Sequence, residues 1–203
     1  MSRLNVDKIT GATGTASGAP ITLSGDTATL SGTGVTFPTG HIIQIAQVTK
    51  TDTETFNNEN WTTAISSLNP SFVTKKANSK VLLQTCQHWG TAIGGAEGVG
   101  VRLYRNDGTG YAEVTAARKS GGTWTCFFNV PGLDGDQYAP HGVTASFLDS
   151  PSVAAGTTLT YAFHPRPYAA SYPVYLNKGM SFDSDQNGRW QSLTSATIME
   201  IAA

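Results

Sequence analysis

The sequence predicts an all-β protein in which an extended, Gly/Ser/Thr-rich N-terminal segment precedes a β-sandwich domain of jelly-roll-like type. Three observations support this prediction. Charged residues make up only 13% of the 203 residues, and the 22 glycines favour turns over helices. Several short runs alternate apolar and polar side chains, which is the period-two pattern of half-buried strands. The composition changes near residue 40, so we assign residues 1–40 to the segment and 41–203 to the sandwich.

Residues 1–40 are half Gly, Ser and Thr. Their few apolar side chains cannot offset the entropy of ordering this segment alone. A seven-residue echo aligns Leu23 with Leu30, but Gly and Thr around both positions disfavour a helical coiled coil. We expect an extended segment that orders against copies of itself or a partner protein, and a flexible linker is the alternative. The candidate anchoring side chains are Leu4, Val6, Ile9, Ile21, Leu23 and Leu30.

From residue 41 onward, short strand patterns alternate with turn signals. The runs 99–103, 124–130 and 159–163 place apolar residues at every second position. Residues 105–110 read Arg-Asn-Asp-Gly-Thr-Gly, which is a strong hairpin signal. Pro165 and Pro167 are expected between strands, because proline has no N–H to donate. Further strands are predicted at 41–49, 80–89, 111–118, 143–148, 172–176 and 192–201.

Charge and hydropathy exclude several functions. Lys and Arg number 13 against 14 Asp and Glu, so the basic excess of a nucleic-acid binder is missing. No apolar run approaches the roughly 18 residues of a membrane span, and the N-terminus lacks the apolar region of a signal peptide. We therefore expect neither nucleic-acid binding nor membrane insertion. Cys86 and Cys126 are predicted to be core thiols, with a single bridge between them as the alternative.

Catalytic motifs are missing from the sequence. Gly-x-Ser-x-Gly, His-Glu-x-x-His, P-loop and Cys-x-x-Cys patterns do not occur. We therefore predict no catalytic residue and no cofactor. Asp134 and Asp136 could face each other across a sugar as glycosidase carboxylates do, but a Gly-rich turn is the preferred interpretation.

One stretch matches part of a metal motif. Asp183, Asp185 and Asn187 occupy alternate positions, as the first oxygen ligands of a calcium loop do. The twelfth position of that loop requires a bidentate acid, and here it is Thr194. We therefore predict an Asx-rich turn, with the three residues kept as metal candidates.

Aromatic side chains provide candidate binding surfaces. Two prolines stiffen the stretch His164-Pro-Arg-Pro-Tyr168, which we predict to be a loop presenting His164, Arg166 and Tyr168 to a receptor. A plain rigid connection is the alternative. The alternating pattern places Trp124 in the core. The aromatic residues that could stack on sugars are Trp61, Trp89, Trp124, Tyr138, Tyr168 and Trp190.

Several short sequence motifs follow one another in a specific order, at both ends of the chain and through most of its middle. They include Leu4-Asn-Val-Asp-Lys-Ile9, Gly34-Val-Thr-Phe-Pro-Thr-Gly-His-Ile-Ile-Gln44, Val101-Arg-Leu-Tyr-Arg-Asn106 and Ala196-Thr-Ile-Met-Glu-Ile-Ala-Ala203. In these stretches the chain resembles virion structural proteins of marine tailed bacteriophages, including cyanophages. The resemblance implies a tail-fibre, tail-spike or head-fibre component of the virion, assembled in the host cytoplasm, whose C-terminal β-domain trimerises.

The expected function is therefore that of a non-enzymatic phage virion structural protein, a trimeric tail fibre or adhesin for host attachment. Its expected partners are two further copies of itself, other virion proteins bound through residues 1–40, and a host-surface glycan or protein. The alternatives are a head fibre or capsid decoration protein, and a polysaccharide-cleaving tail spike. A domain of about 160 residues is small for a depolymerase, which usually presents its substrate groove on a longer repeat scaffold.

Overall fold

The computed structural model describes residues 38–91, 98–131, 140–180 and 191–203, and before residue 38 only the backbone of three strands. Two units are distinguished, Met1–His41 and Ile42–Ala203. In the first, β1 (Lys8–Ile9), β2 (Ile21–Ser24) and β3 (Thr27–Leu30) form an antiparallel sheet. Ile21 pairs with Leu30, so the two copies of the sequence echo lie side by side as strands. Leu4 and Val6 lie outside the described residues.

The described part of the second unit contains eleven strands, a single 3₁₀ turn at Thr115–Ala117 and no α-helix. The strands are β4 (Ile42–Lys50), β5 (Glu54–Phe56), β6 (Ser71–Val73), β7 (Lys80–Gly90), β8 (Val99–Asn106), β9 (Tyr111–Glu113), β10 (Phe128–Val130), β11 (His141–Asp149), β12 (Thr158–Pro167), β13 (Val174–Leu176) and β14 (Thr194–Ile201).

These strands form two antiparallel sheets. The six-stranded sheet has the order β4-β14-β7-β13-β5, with β11 also paired to β7. The five-stranded sheet has the order β10-β8-β12-β6, with β9 also paired to β8. The chain crosses between the sheets repeatedly, and side chains from both inner faces form one hydrophobic core. The predicted all-β, jelly-roll-like sandwich is confirmed.

The alternating patterns at 99–103 and 159–163 are confirmed as inner-face strands. Their core residues, which are at most 1% exposed, are Val99, Val101, Leu103, Leu159, Tyr161 and Phe163. The hairpin predicted at residues 105–110 joins β8 to β9, where Asn106 Oδ1 accepts the backbone N–H of Gly108 and of Gly110 at 2.8 and 3.1 Å. Both glycines have positive φ, which explains the residue type at each position.

The other predicted strands are confirmed with shifted ends, except that 111–118 contains only the three residues of β9. The short strands β5 and β6 were not predicted, since three residues carry too little periodicity. Both cysteines are free and only half-buried, so the prediction of core thiols and the alternative of a bridge between them are both wrong.

The strand predicted at 124–130 is wrong over its first half. Strand β10 begins at Phe128, and Trp124, which we expected in the core, is 54% exposed. Gly121 and Gly122 have φ of 77° and 95°, so the backbone turns just before Trp124. The apolar alternation there is therefore not that of a strand.

The loop predicted at 164–168 is also wrong, because Pro165 and Pro167 belong to β12. Beyond Thr160, this strand pairs with β8 on one side. On its other side Tyr161 N donates to the Pro70 carbonyl, so the odd-numbered residues of β12 direct their backbone nitrogens away from β8. Neither proline therefore removes a ladder hydrogen bond.

Candidate functional site

The candidate site lies on the outer face of the five-stranded sheet and is centred on Gly100. In the sheet register, Asn129 of β10 and Arg166 of β12 are the two partners of Gly100. Val99 and Val101 point into the core, so Gly100 and its partners face outward.

Gly100 forms the floor because it has no side chain. A Cβ at this position would lie 2.8 Å from Trp61 Cη2 and 3.5 Å from Cys126 Cβ. The indole of Trp61 and the Cys126 side chain can therefore lie directly over the sheet.

Two connecting segments provide the walls of a cleft of about 300 Å³. Trp61 comes from the connection between β5 and β6, and Trp124 from the connection between the 3₁₀ turn and β10. Arg166 and Tyr168 line the cleft between them. Thus two of the three predicted receptor contacts lie together in this cleft.

Arginine and aromatic groups alternate along the cleft. Arg102 Cζ lies 4.3 Å from the centroid of the Trp61 ring, and Arg166 Cζ lies 5.7 Å from the same ring. Arg166 Cζ is also 4.0 Å from the Trp124 centroid, and Trp124 stacks on Tyr168 at 5.4 Å with an interplanar angle of 18°. Each cation over a ring face is attracted by the quadrupole of that ring.

Arg102 is held by neighbouring protein groups. Its Nε and Nη2 donate to the carbonyls of Thr125 and Thr123 at 3.0 and 3.2 Å, and its Nη1 lies 3.3 Å from Glu113 Oε2. Arg118 pairs with the same Glu113 and donates to Thr125 Oγ1. These bonds hold the segment that carries Trp124 against the sheet.

Arg166 differs from Arg102 in its surroundings. Within the described residues its guanidinium has no salt bridge, and its buried Nε has no hydrogen-bond partner. Its contacts are the two indole rings. It is therefore a positioned cation whose hydrogen-bonding capacity the described protein groups leave unused.

His164, the third predicted receptor contact, is 7% exposed and is not among the residues that line the cleft. Its ring stacks on Tyr104 at 3.9 Å, and Nδ1 lies 2.9 Å from the Trp61 carbonyl oxygen. A carbonyl only accepts, so Nδ1 carries the proton in the neutral ring. Burial lowers the pKa of His164 below its usual 6.5, against a smaller opposing effect of that bond. His164 therefore supports the backbone of Trp61.

The cleft offers groups suited to binding. The Cys126 thiol lines the cleft. Burial raises the pKa of this thiol, so it stays protonated near neutral pH. Asn129 contributes an amide. None of the described lining residues is a carboxylate or a histidine.

The remaining predicted residues lie elsewhere. Trp89 is fully buried and packs on Phe56. Tyr138, Trp190, both residues of the Asp134 and Asp136 pair, and the metal candidates Asp183, Asp185 and Asn187 lie outside the described residues. Across the part that is described, no three His, Cys, Asp or Glu side chains are grouped to hold a metal ion. The described residues also include no helix with the length and hydropathy of a membrane span.

Comparison with known proteins gives a distant structural likeness. No protein-family model matches the chain, and no curated protein matches it. Among solved structures the chain is similar to Eiger TNF from S. frugiperda, with 10% sequence identity and a TM-score of 0.40. The alignment covers 80% of this chain and 94% of that chain.

Proposed function

We propose that the chain is a non-enzymatic attachment protein of a bacteriophage particle, a trimeric tail fibre or adhesin that contacts the host surface through the cleft over Gly100. The observation that carries this proposal is the cleft itself. Trp124 is 54% and Tyr168 53% exposed, so about half of the surface of each residue is open to a ligand. Aromatic and arginine side chains held in a recess are typical of the residues that dominate binding energy.

The opposite sheet supports the trimeric part of the proposal. On its outer face Ile45, Met199, Leu82 and Leu148 align in register across β4, β14, β7 and β11. Ile45 is 60% and Leu148 47% exposed. The next two rows on this outer face also carry no charge; they contain Gln47, Thr197, Gln84, Ser146, Thr49, Ser195, Cys86 and Thr144. We call these three rows together the uncharged face.

The chemistry of the uncharged face favours copies of the same chain as its partner. Between identical copies, any charge near the symmetry axis meets its own kind or is buried without a partner, which is costly. A face with small polar side chains and one apolar row avoids this cost. It can also exclude water along the row, as the apolar centre of a subunit interface does.

Immunogold electron microscopy tests the location on the particle. Antibody raised against the full chain should label the tail tips of intact particles from the phage that encodes it. Label on the head would support a head fibre or decoration protein instead. Particles that carry no label, although the same antibody detects the chain in infected cells, would contradict a virion role.

A further inference from the structure

We infer that the cleft takes an acidic saccharide, with the carboxylate of the sugar on Arg166 and its ring against the exposed parts of Trp124 and Tyr168. This inference rests on the proposed attachment function and names its ligand class. It is drawn from the charge of the described lining, the state of Arg166 and the size of the recess.

Charge is the first argument. Among the described lining residues the formal charge is that of Arg166 alone. The nearby Arg102 and Arg118 share Glu113 and are already hydrogen-bonded within the sheet and its covering segment. An anion entering the cleft therefore meets one cation that no described carboxylate neutralises.

The positioning of Arg166 is the second argument. Its guanidinium lies between the indoles of Trp61 and Trp124, at 5.7 and 4.0 Å from their centroids. Contacts on two rings restrict this side chain before any ligand binds, which lowers the entropy cost of association. A planar guanidinium with unused N–H groups matches the two oxygens of a carboxylate.

Size and polarity complete the argument. A volume of about 300 Å³ lies at the lower end of small-molecule sites, so the cleft fits on the order of one sugar unit. Asn129 on the floor can donate to and accept from sugar hydroxyls. A terminal or side-branch acidic sugar of a surface polysaccharide meets these requirements.

Binding of the full-length protein to a defined saccharide panel tests the inference. The panel contains galacturonate, glucuronate, mannuronate and sialate oligosaccharides, each beside its carboxyl-reduced or methyl-ester counterpart. We expect at least one acidic member to bind, with its neutral counterpart about ten- to hundredfold weaker, because a charged hydrogen-bonded pair is lost.

Three variants test the role of Arg166: one removes its charge, one keeps the charge, and one is a control elsewhere on the surface. Arg166→Gln should bind the acidic saccharide about ten- to hundredfold more weakly and should bind its neutral counterpart with little change in affinity. Arg166→Lys should recover part of the loss, since it keeps the charge without the planar fork. Lys80→Gln removes an exposed charge at the start of β7 and should bind as wild type. Circular dichroism and the melting temperature verify that each variant is folded.

The outcomes separate the ligand class from the attachment function. Equal binding of acidic and neutral members, or unchanged acidic binding in Arg166→Gln, would overturn the acidic class. If acidic and neutral saccharides bound equally and Trp124→Ala lost the binding of the neutral ones, the attachment proposal would stand. Failure of the folded wild-type protein to bind any panel member would overturn the inference, and the adsorption experiment below would then decide the attachment function.

Discussion

At the scale of single residues, the outer face of the five-stranded sheet shows how partners decide the role of a charge. Arg102 and Arg118 share Glu113 and stabilise the segment that carries Trp124. Arg166, two residues before Tyr168, has a buried side-chain Nε without a hydrogen-bond partner among the described residues. Arginine thus has a structural role at positions 102 and 118, whereas at position 166 it is available for recognition.

His164 should make stability depend on pH. Burial lowers its pKa below 6.5 in the folded chain, so on acidification the unfolded chain takes up a proton there first. Stability is then lost as the pH falls below about 6.5. The free energy of unfolding of wild type, measured in urea, should fall between pH 7 and pH 5 more steeply than that of His164→Phe. His41→Asn is the control. Equal slopes for wild type and His164→Phe would refute a buried neutral imidazole.

At the scale of elements, β8 and β12 were predictable to different degrees. The alternation in β8 identifies its core side chains directly, because one face is uniformly apolar. Strand β12 also contains two prolines, which local rules exclude from strands. They are tolerated because their nitrogens point away from the paired strand β8, a direction that is known only from the tertiary structure. The prediction at 124–130 failed in the opposite direction, since the alternating pattern at 124–127 does not belong to a strand and β10 begins only at Phe128.

The site could be predicted in part. Arg166 and Tyr168 were identified from a local stiff motif, and both line the cleft. Gly100 and Asn129 were missed, because their role depends on strand register, which pairs residues far apart in sequence. A glycine within an otherwise apolar, alternating strand was the available signal for a close approach of another group.

Gly100 should be intolerant of a side chain. Gly100→Ala places a Cβ 2.8 Å from Trp61 Cη2, so we expect a cost of about 1–3 kcal/mol from overpacking. In a Trp61→Ala background the same substitution should cost much less, giving a coupling energy in the double-mutant cycle. Urea unfolding of the four proteins measures it. Additive costs would contradict the contact.

At the scale of the whole sandwich, the two outer faces differ in chemistry. The uncharged face lies outside the six-stranded sheet, and the cleft lies outside the five-stranded sheet. Because the two sheets pack through their inner faces, these surfaces are on opposite sides of the domain. Assembly through one face therefore leaves the other open to a ligand.

The full chain should be a trimer in solution. Light scattering at micromolar concentration should give three times the 21.4 kDa chain mass. Ile45→Glu places a charge in the apolar row of the uncharged face and should give the monomer mass. Thr109→Glu, in the exposed β8–β9 connection, adds the same charge elsewhere and should remain trimeric. A wild-type monomer, or an Ile45→Glu trimer, would contradict this interface.

Competition for adsorption tests the central claim, that the domain attaches the particle to its host through the cleft. Purified full-length protein is added to host cells before the phage that encodes it, and unadsorbed particles are counted. Wild type and Tyr111→Ala, which removes an exposed aromatic of β9 outside the cleft lining, should both block adsorption. Folded Trp124→Ala should not block it. Equal blocking by Trp124→Ala, or no blocking by wild type at saturating concentration, would contradict the claim.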